Sequence, residues 1–205
     1  MPADENALRR WHRRSKESVW SREQPPFQID LHTRAADNPR LIPDISVHSP
    51  VQLTDIGLRT FAPDEMFSYL AVHGASSTWF RLKWISDFAA FLHPKESAEI
   101  RRLYDRSQEI GAGRAAGQAL LLADRLFATL SGDPALSDQL RRERVTHLLA
   151  ETAFSLLSRN PSEPTEHFLG TMPMHLTPFL LRGDWRYKLS EFSGQSARLL
   201  NRFAS

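Results

Sequence analysis

The segment from residue 69 to residue 92 constrains the fold more than any other part of the chain, because it concentrates large aromatic and apolar side chains at helical spacing. From position 80 onward these side chains recur every four residues, so that they share one face of an α-helix. They are Phe80, Trp84, Phe88 and Leu92. Lys83 and Asp87 lie one helical turn apart beside this face and are expected to pair. The pattern predicts an amphipathic helix that packs against a core.

A second helix is predicted directly before this one. Pro63 suits the first turn of a helix, and the two acidic residues after it lie near the positive end of the helix dipole. Gly74 suits a left-handed residue at a helix end, and the hydroxyl of Thr78 can accept a hydrogen bond from the first N–H groups of the next helix. The expected structure is therefore a helix, a tight turn near Gly74 and a second helix.

Before these helices, the sequence predicts two or three short strands. Residues 27–32 alternate apolar and polar side chains as a half-buried strand does, so Asp30 and His32 are expected to share its polar face. Residues 51–61 alternate more weakly, with Gly57 at a turn or bulge. We expect these strands to pair in one small antiparallel sheet.

After residue 92, apolar side chains at helical spacing predict helices over residues 95–110, 112–130 and 138–158. Between the first two of these, Gly111 and Gly113 have the spacing of a phosphate-binding loop, but the preceding strand and the third glycine of that motif are missing. A turn between helices is therefore the preferred interpretation. The next helix begins near Gly113, and an arginine in its first turn can face an anion.

The expected fold class is α+β and predominantly helical, with two or three short N-terminal β-strands followed by a bundle of about five or six helices. We divide the chain into a basic polar lead-in or linker (1–26), a small β portion (27–61) and a helical C-terminal domain (62–205). A length of 205 residues, with 41% hydrophobic and 24% charged residues, is sufficient for an ordinary globular core.

The composition excludes several classes of protein. Without cysteine, the chain has no disulfide, no thiolate zinc site and no cysteine nucleophile. No apolar run approaches the roughly 20 residues of a membrane span, and none opens the chain as a signal peptide does, so we expect a cytoplasmic protein without a membrane partner. A net charge of +2, with acidic residues interspersed, does not favour nucleic acid as a partner.

The lead-in, residues 1–26, leaves two interpretations open. Five of its cations surround Trp11. They are Arg9, Arg10, Arg13, Arg14 and Lys16. A basic helix with an aromatic side chain suits the phosphates of RNA or of a nucleotide. Such a run of charge is also typical of a solvated helix that links to another domain.

The 69–92 segment also resembles part of a known family. Its pattern is HGA, a short polar gap, and then W-x-RLKWI-x-D. The positions are His73, Gly74, Ala75, Trp79, Arg81, Leu82, Lys83, Trp84, Ile85 and Asp87. This pattern resembles the C-terminal region of a family of uncharacterised bacterial nucleotidyltransferases, a branch of the polymerase-β-like nucleotidyltransferases. Residues 27–32 are similar to that family's strand with an Asp-Leu-His element, and the helix after Gly113 resembles its next long helix. The resemblance covers roughly residues 27–130.

The resemblance implies a chemistry and a set of site residues. Such enzymes transfer a nucleoside monophosphate from a nucleoside triphosphate to an acceptor, using Mg²⁺ or Mn²⁺ ions held by clustered carboxylates. It implies that Asp30 is one of these carboxylates, both catalytic and metal-binding. It also implies that His73, Arg81, Lys83 and Asp87 bind the nucleotide or the acceptor. From the residues alone, Arg81, Lys83 and Asp87 can instead stabilise the helix by pairing with one another. His73 can be a structural, hydrogen-bonded group.

The resemblance further implies a Gly-Ser turn and an Asp-x-Asp pair, and the 205 residues contain neither. The chain is therefore expected to correspond to the C-terminal part of the family's architecture and to be incomplete or inactive alone, with a protein partner that supplies the remaining carboxylates. A truncated gene, a split protein and a repurposed remnant stay open as explanations. Two other functions stay open as well: a non-catalytic helical interaction module and, more weakly, an RNA-binding protein.

Overall fold

The structure of the chain is a computed structural model, and it describes residues 4–6, 9, 17–42, 45, 49–53, 56–159 and 172–203. Across these residues the protein is mostly helical, with short antiparallel strands preceding the helices. This confirms the predicted α+β class. Among the helices of these ranges, none is both long enough and apolar enough to cross a bilayer.

The strands form two separate hairpins. The first joins β1 (Glu17–Arg22) to β2 (Phe27–His32), and the second joins β3 (Ser49–Leu53) to β4 (Ile56–Thr60). The expectation of a single sheet was wrong, because each strand pairs with its immediate neighbour in sequence across a short connection.

The lead-in also differs from its prediction. Its last residues form β1 instead of a helix, and Val19 and Trp20 are side chains that favour strands. Arg9 pairs with Glu5, with 2.6 Å between Nη2 and Oε1. The other four cations around Trp11, at positions 10, 13, 14 and 16, lie outside the described residues.

Eight α-helices follow within the described ranges. They are α1 (Pro63–Ser76), α2 (Leu82–Leu92), α3 (Ser97–Glu109), α4 (Gly113–Phe127), α5 (Pro134–Arg142), α6 (Arg144–Arg159), α7 (Met172–Leu176) and α8 (Trp185–Phe203). A single 3₁₀ turn, Thr177–Leu180, lies between the last two. The predicted helices around residues 95–110, 112–130 and 138–158 correspond to α3, α4 and the pair α5 and α6.

The fourth helix lies at the centre of the bundle. Every residue from Ala115 to Ala123 is buried, and α4 contacts α1, α2, α3, α5 and α6. A helix that is apolar on all sides requires neighbours on all sides, which explains this position. At Gly117 a side chain would meet Thr146 of α6 and Leu140 of α5, so glycine allows these helices to approach closely.

The connection between α1 and α2 has the predicted order but a different local structure. Gly74 does not cap α1, which continues to Ser76. The left-handed residues are instead Thr78 and Trp79, with φ angles of 54° and 55°. Thr78 does not cap α2 either, because its Oγ1 hydrogen-bonds Oγ1 of Thr177 at 3.0 Å. The helix α2 begins after Arg81, which makes no side-chain cap.

Candidate functional site

The strand that carries Asp30 is exposed on both faces. Asp30 projects from β2 opposite Val19 of β1, and its Oδ1 accepts a hydrogen bond of 3.2 Å from Nε2 of Gln28. The prediction of a half-buried strand was wrong, since Ile29 on the apolar face is 55% exposed. Alternation correctly indicates which side chains share a face, but it does not tell whether another layer covers that face.

Asp30 does not form a metal centre with its described neighbours. His32 lies on the same face, about 6.6 Å further along the strand. Among the residues that the structure describes, no group of three histidine or acidic side chains is close enough to hold a metal ion. Magnesium takes about six oxygen ligands, so this part of the chain does not fit a complete magnesium site.

His73 connects the end of β2 to the two helices of the 69–92 segment. Its ring lies 6.5 Å from the ring of His32 and 5.9 Å from that of Tyr69, measured between centroids. It also meets the edge of Trp84 at 5.2 Å. These separations are typical of aromatic pairs in contact. The structure therefore brings the strand of Asp30 and the helical hairpin together, at His32 and His73.

Arg81 lies at the start of α2 above two aromatic rings. Its Cζ is 5.4 Å from the ring centre of Phe80 and 5.5 Å from that of Trp84, within the range of cation–π contacts. The guanidinium plane suits this position because it is only weakly hydrated. Arg81 is exposed, so its charge faces solvent beside the cluster of aromatic rings around His73.

Lys83 and Asp87 pair as predicted, with 2.9 Å between Nζ and Oδ2. Both side chains are exposed, so the pair lies in solvent. The physical reason is that α2 is amphipathic: Ile85 and Phe88 face the core, whereas the pair lies on the opposite side. An exposed pair of this spacing contributes only about 0.3–0.5 kcal/mol to stability. The pair therefore stabilises α2 only weakly.

A cavity of about 450 Å³ opens where β2 ends. Its polar side is formed by His32, Thr33 and Arg34, and its aromatic side by Phe61 and Tyr69, whose ring centroids are 5.1 Å apart. Aliphatic side chains complete the lining. They include Ala36, Ile42 and Ile45. This volume is in the range of small-molecule sites.

Sequence reasoning missed this cavity. Arg34 is the one formally charged side chain among the described lining residues. Its Nε–H is buried and makes no hydrogen bond within the part of the chain that the structure describes. The available signal for the cavity was the run of polar side chains at the end of β2, the strand that bears the candidate carboxylate Asp30. Phe61 and Tyr69 could not be assigned to the cavity because they come from other elements.

Gly111 lies in the turn between α3 and α4, and Gly113 is the first residue of α4, which agrees with the preferred interpretation of this segment as a turn between helices. Gly111 has a φ of 87°, and a side chain there would meet the guanidinium of Arg182. Arg114, proposed to face an anion, donates from Nη1 to the carbonyl oxygen of Leu180 at 2.8 Å. Its guanidinium therefore joins α4 to the 3₁₀ turn.

Comparison with known protein families gives one finding that bears on this geometry. The family model described as an uncharacterised nucleotidyltransferase matches residues 3–128. The matched range extends from before β1 to the end of α4, so it includes both the exposed strand of Asp30 and the cluster around His73. No curated protein and no solved structure matches the chain.

Proposed function

Because this chain belongs to a family of uncharacterised nucleotidyltransferases, we propose that it serves the transfer of a nucleoside monophosphate from a nucleoside triphosphate to an acceptor. The observation that carries the proposal is the contact between His32 and His73, at 6.5 Å. It joins the strand of the candidate carboxylate Asp30 to the segment expected to bind nucleotide or acceptor. A single site that spans both elements is thereby supported.

In this proposal the described residues supply only part of the catalytic machinery. Asp30 is the candidate ligand for Mg²⁺ or Mn²⁺, but one carboxylate does not hold a catalytic metal pair. We therefore propose that a protein partner provides the remaining carboxylates and docks where Asp30 is exposed. Without that partner the chain is expected to bind nucleotide but not to complete the transfer.

The helical side of the site would contact the phosphates or the acceptor. Arg81 and Lys83 are both exposed at the start of α2, where positive charge suits an anionic ligand. Asp87 holds Nζ of Lys83 at 2.9 Å, which orients the lysine before a ligand binds. His73 contacts His32 of β2 and Trp84, the ring beneath Arg81, and its imidazole can donate a hydrogen bond to the same ligand.

Calorimetric titration tests this proposal. The purified chain would be titrated with each nucleoside triphosphate, with magnesium and with a chelator, and compared with Asp30→Ala and Lys83→Ala. We expect Asp30→Ala to lose about tenfold in affinity only in magnesium, because the carboxylate acts through the ion. Lys83→Ala is expected to weaken binding in both buffers, since its ammonium contacts phosphate directly.

Asp138→Ala is the matched control, because Asp138 is an exposed carboxylate on α5, in the part of the chain outside the family match. It should bind as wild type does. The proposal would be overturned if a folded sample bound no triphosphate in either buffer. Magnesium-dependent binding that survives in Asp30→Ala would remove Asp30 from the metal site.

A second candidate function is a non-catalytic interaction module, and the exposed apolar face of the first hairpin favours it. Trp20 and Ile29 face each other across β1 and β2, and Arg22 lies 4.9 Å above the ring of Phe27 on the same face. An apolar face left open to solvent suits a protein partner. Absence of triphosphate binding in the folded chain would favour this function over transfer.

A further inference from the structure

We propose that the cavity at the end of β2 binds the nucleoside monophosphate part of the substrate, with the phosphate at Arg34 and the base against Phe61 and Tyr69; this rests on the proposed function. The inference names residues that the family resemblance did not single out. It also assigns each side of the cavity to one part of the ligand.

The polar side of the cavity favours an anion. None of the described lining residues is acidic, and Arg34 contributes a full positive charge. Its terminal nitrogens carry N–H groups, and a guanidinium can bind phosphate through two N–H groups at once. His32 and Thr33 add two polar side chains beside it.

The aromatic side chains of the cavity favour a planar ring. Phe61 and Tyr69 lie 5.1 Å apart and form a continuous aromatic surface. The ring of Tyr69 also contacts His73, whose ring meets the edge of Trp84, so Tyr69 belongs to the cluster of rings around His73. Contact with aromatic side chains stabilises nucleobases without requiring a particular base. A volume of about 450 Å³ accommodates a ligand of this size.

The position of the cavity connects it to Asp30. Because side chains alternate along a strand, Asp30 and His32 lie on the same face of β2, and the cavity begins at His32. A phosphate at Arg34 would therefore lie past the end of the strand that bears the carboxylate of the proposed reaction. The ring would extend toward α1, on the side of Tyr69.

The test uses AMP in the presence of a chelator, so that binding does not depend on a metal. Inorganic phosphate and adenosine are titrated separately, and AMP is expected to bind more tightly than either, because it reaches both sides of the cavity. Arg34→Ala should reduce the affinity for AMP by at least about tenfold and should not change the affinity for adenosine. Tyr69→Leu should reduce AMP and adenosine binding alike, by about fivefold or more.

Two further variants control for folding and for charge. Arg34→Lys keeps the positive charge but loses the planar fork, and it should bind AMP more weakly than wild type and more tightly than Arg34→Ala. Arg142→Ala removes an exposed arginine on α5 and should leave the affinity unchanged. Thermal melting of each variant identifies any that fails to fold.

The outcomes separate this inference from the proposed function. If magnesium-dependent triphosphate binding requires Asp30 while Arg34→Ala and Tyr69→Leu bind AMP as wild type does, the cavity assignment is wrong and the proposed function stands. If AMP binds in chelator and requires Arg34 while Asp30→Ala has no effect in magnesium, the cavity is supported and the role of Asp30 fails. Absence of AMP binding to the folded wild type overturns the cavity assignment.

Discussion

At position 74, the absence of a side chain lets the indole of Trp79 lie against the backbone of α1. Trp79 is fully buried, its backbone N–H donates to the carbonyl oxygen of Gly74 at 2.8 Å, and its ring meets the edge of Phe88 at 5.9 Å. A Cβ added to Gly74 would overlap that indole. The HGA element of the sequence therefore has a steric role in the core, beside any role of its histidine.

Replacing Gly74 with alanine is expected to destabilise the protein. The gain in helix propensity of about 1 kcal/mol opposes an overpacking cost of about 1–3 kcal/mol, and the rigid ring leaves little room to relax. We expect a net loss of about 1 kcal/mol in the free energy of unfolding, measured by urea denaturation. Gly183→Ala is the control, because its Cβ would be 3.7 Å from the nearest atom, on Arg114. Equal stability of the two variants would contradict this account.

At the scale of the helix, the start of α5 depends on one carboxylate. Asp133 accepts a hydrogen bond of 3.0 Å from the backbone N–H of Leu136 in the first turn. It also receives two hydrogen bonds from Arg101 of α3, at 3.0 Å from Nε and 2.8 Å from Nη2. The same side chain thus caps one helix and ties it to another.

Two substitutions at Asp133 separate these roles. Asp133→Ala removes the cap and the ion pair, and loss of a cap costs about 0.5–2 kcal/mol. Asp133→Asn keeps an oxygen that can accept from Leu136, so it should lose only part of that stability. Chemical denaturation of both variants, with Arg101→Ala for comparison, measures the difference. If Asp133→Asn were as unstable as Asp133→Ala, capping would not be the main role of this residue.

The helices show how far sequence patterns reach. Helical periodicity is a property of neighbouring residues, so α1 to α4 were predicted close to their observed positions. The ends of α1 and α2 were not, because Gly74 and Thr78 are used in packing: one accommodates Trp79, and the other bonds to Thr177, which is 99 residues away. When such residues are buried, their tertiary contacts override their local preference for helix-capping positions.

At the scale of the whole molecule, the stability of the described residues resides in the helices. Leu120 of α4 is fully buried in the main apolar cluster, whereas Ile29 of β2 is 55% exposed. A two-stranded hairpin is marginally stable without a covering layer. The first hairpin therefore depends on its attachment near His32, and on any partner that covers its apolar face.

Paired truncations test this distribution. Leu120→Ala should lower the free energy of unfolding by about 2–5 kcal/mol, because it leaves a cavity at the centre of the bundle. Ile29→Ala should change it by no more than about 0.5 kcal/mol, because its side chain is mostly in water. Denaturation curves give both values, and amide hydrogen exchange should be slower in α4 than in β2. A large loss in Ile29→Ala would indicate that the hairpin belongs to the cooperative core.

The candidate site divides in the same way. Short-range patterns were sufficient to predict the helical class, the exposed face shared by Asp30 and His32, and the pairing of Lys83 with Asp87, since each depends on residues a few positions apart.

Only the tertiary structure could show the contact between His32 and His73 and the cavity that Arg34, Phe61 and Tyr69 line, because both depend on long-range packing. Those residues come from different elements. Their proximity results from the burial of apolar side chains throughout the bundle, a cooperative property that no single segment encodes.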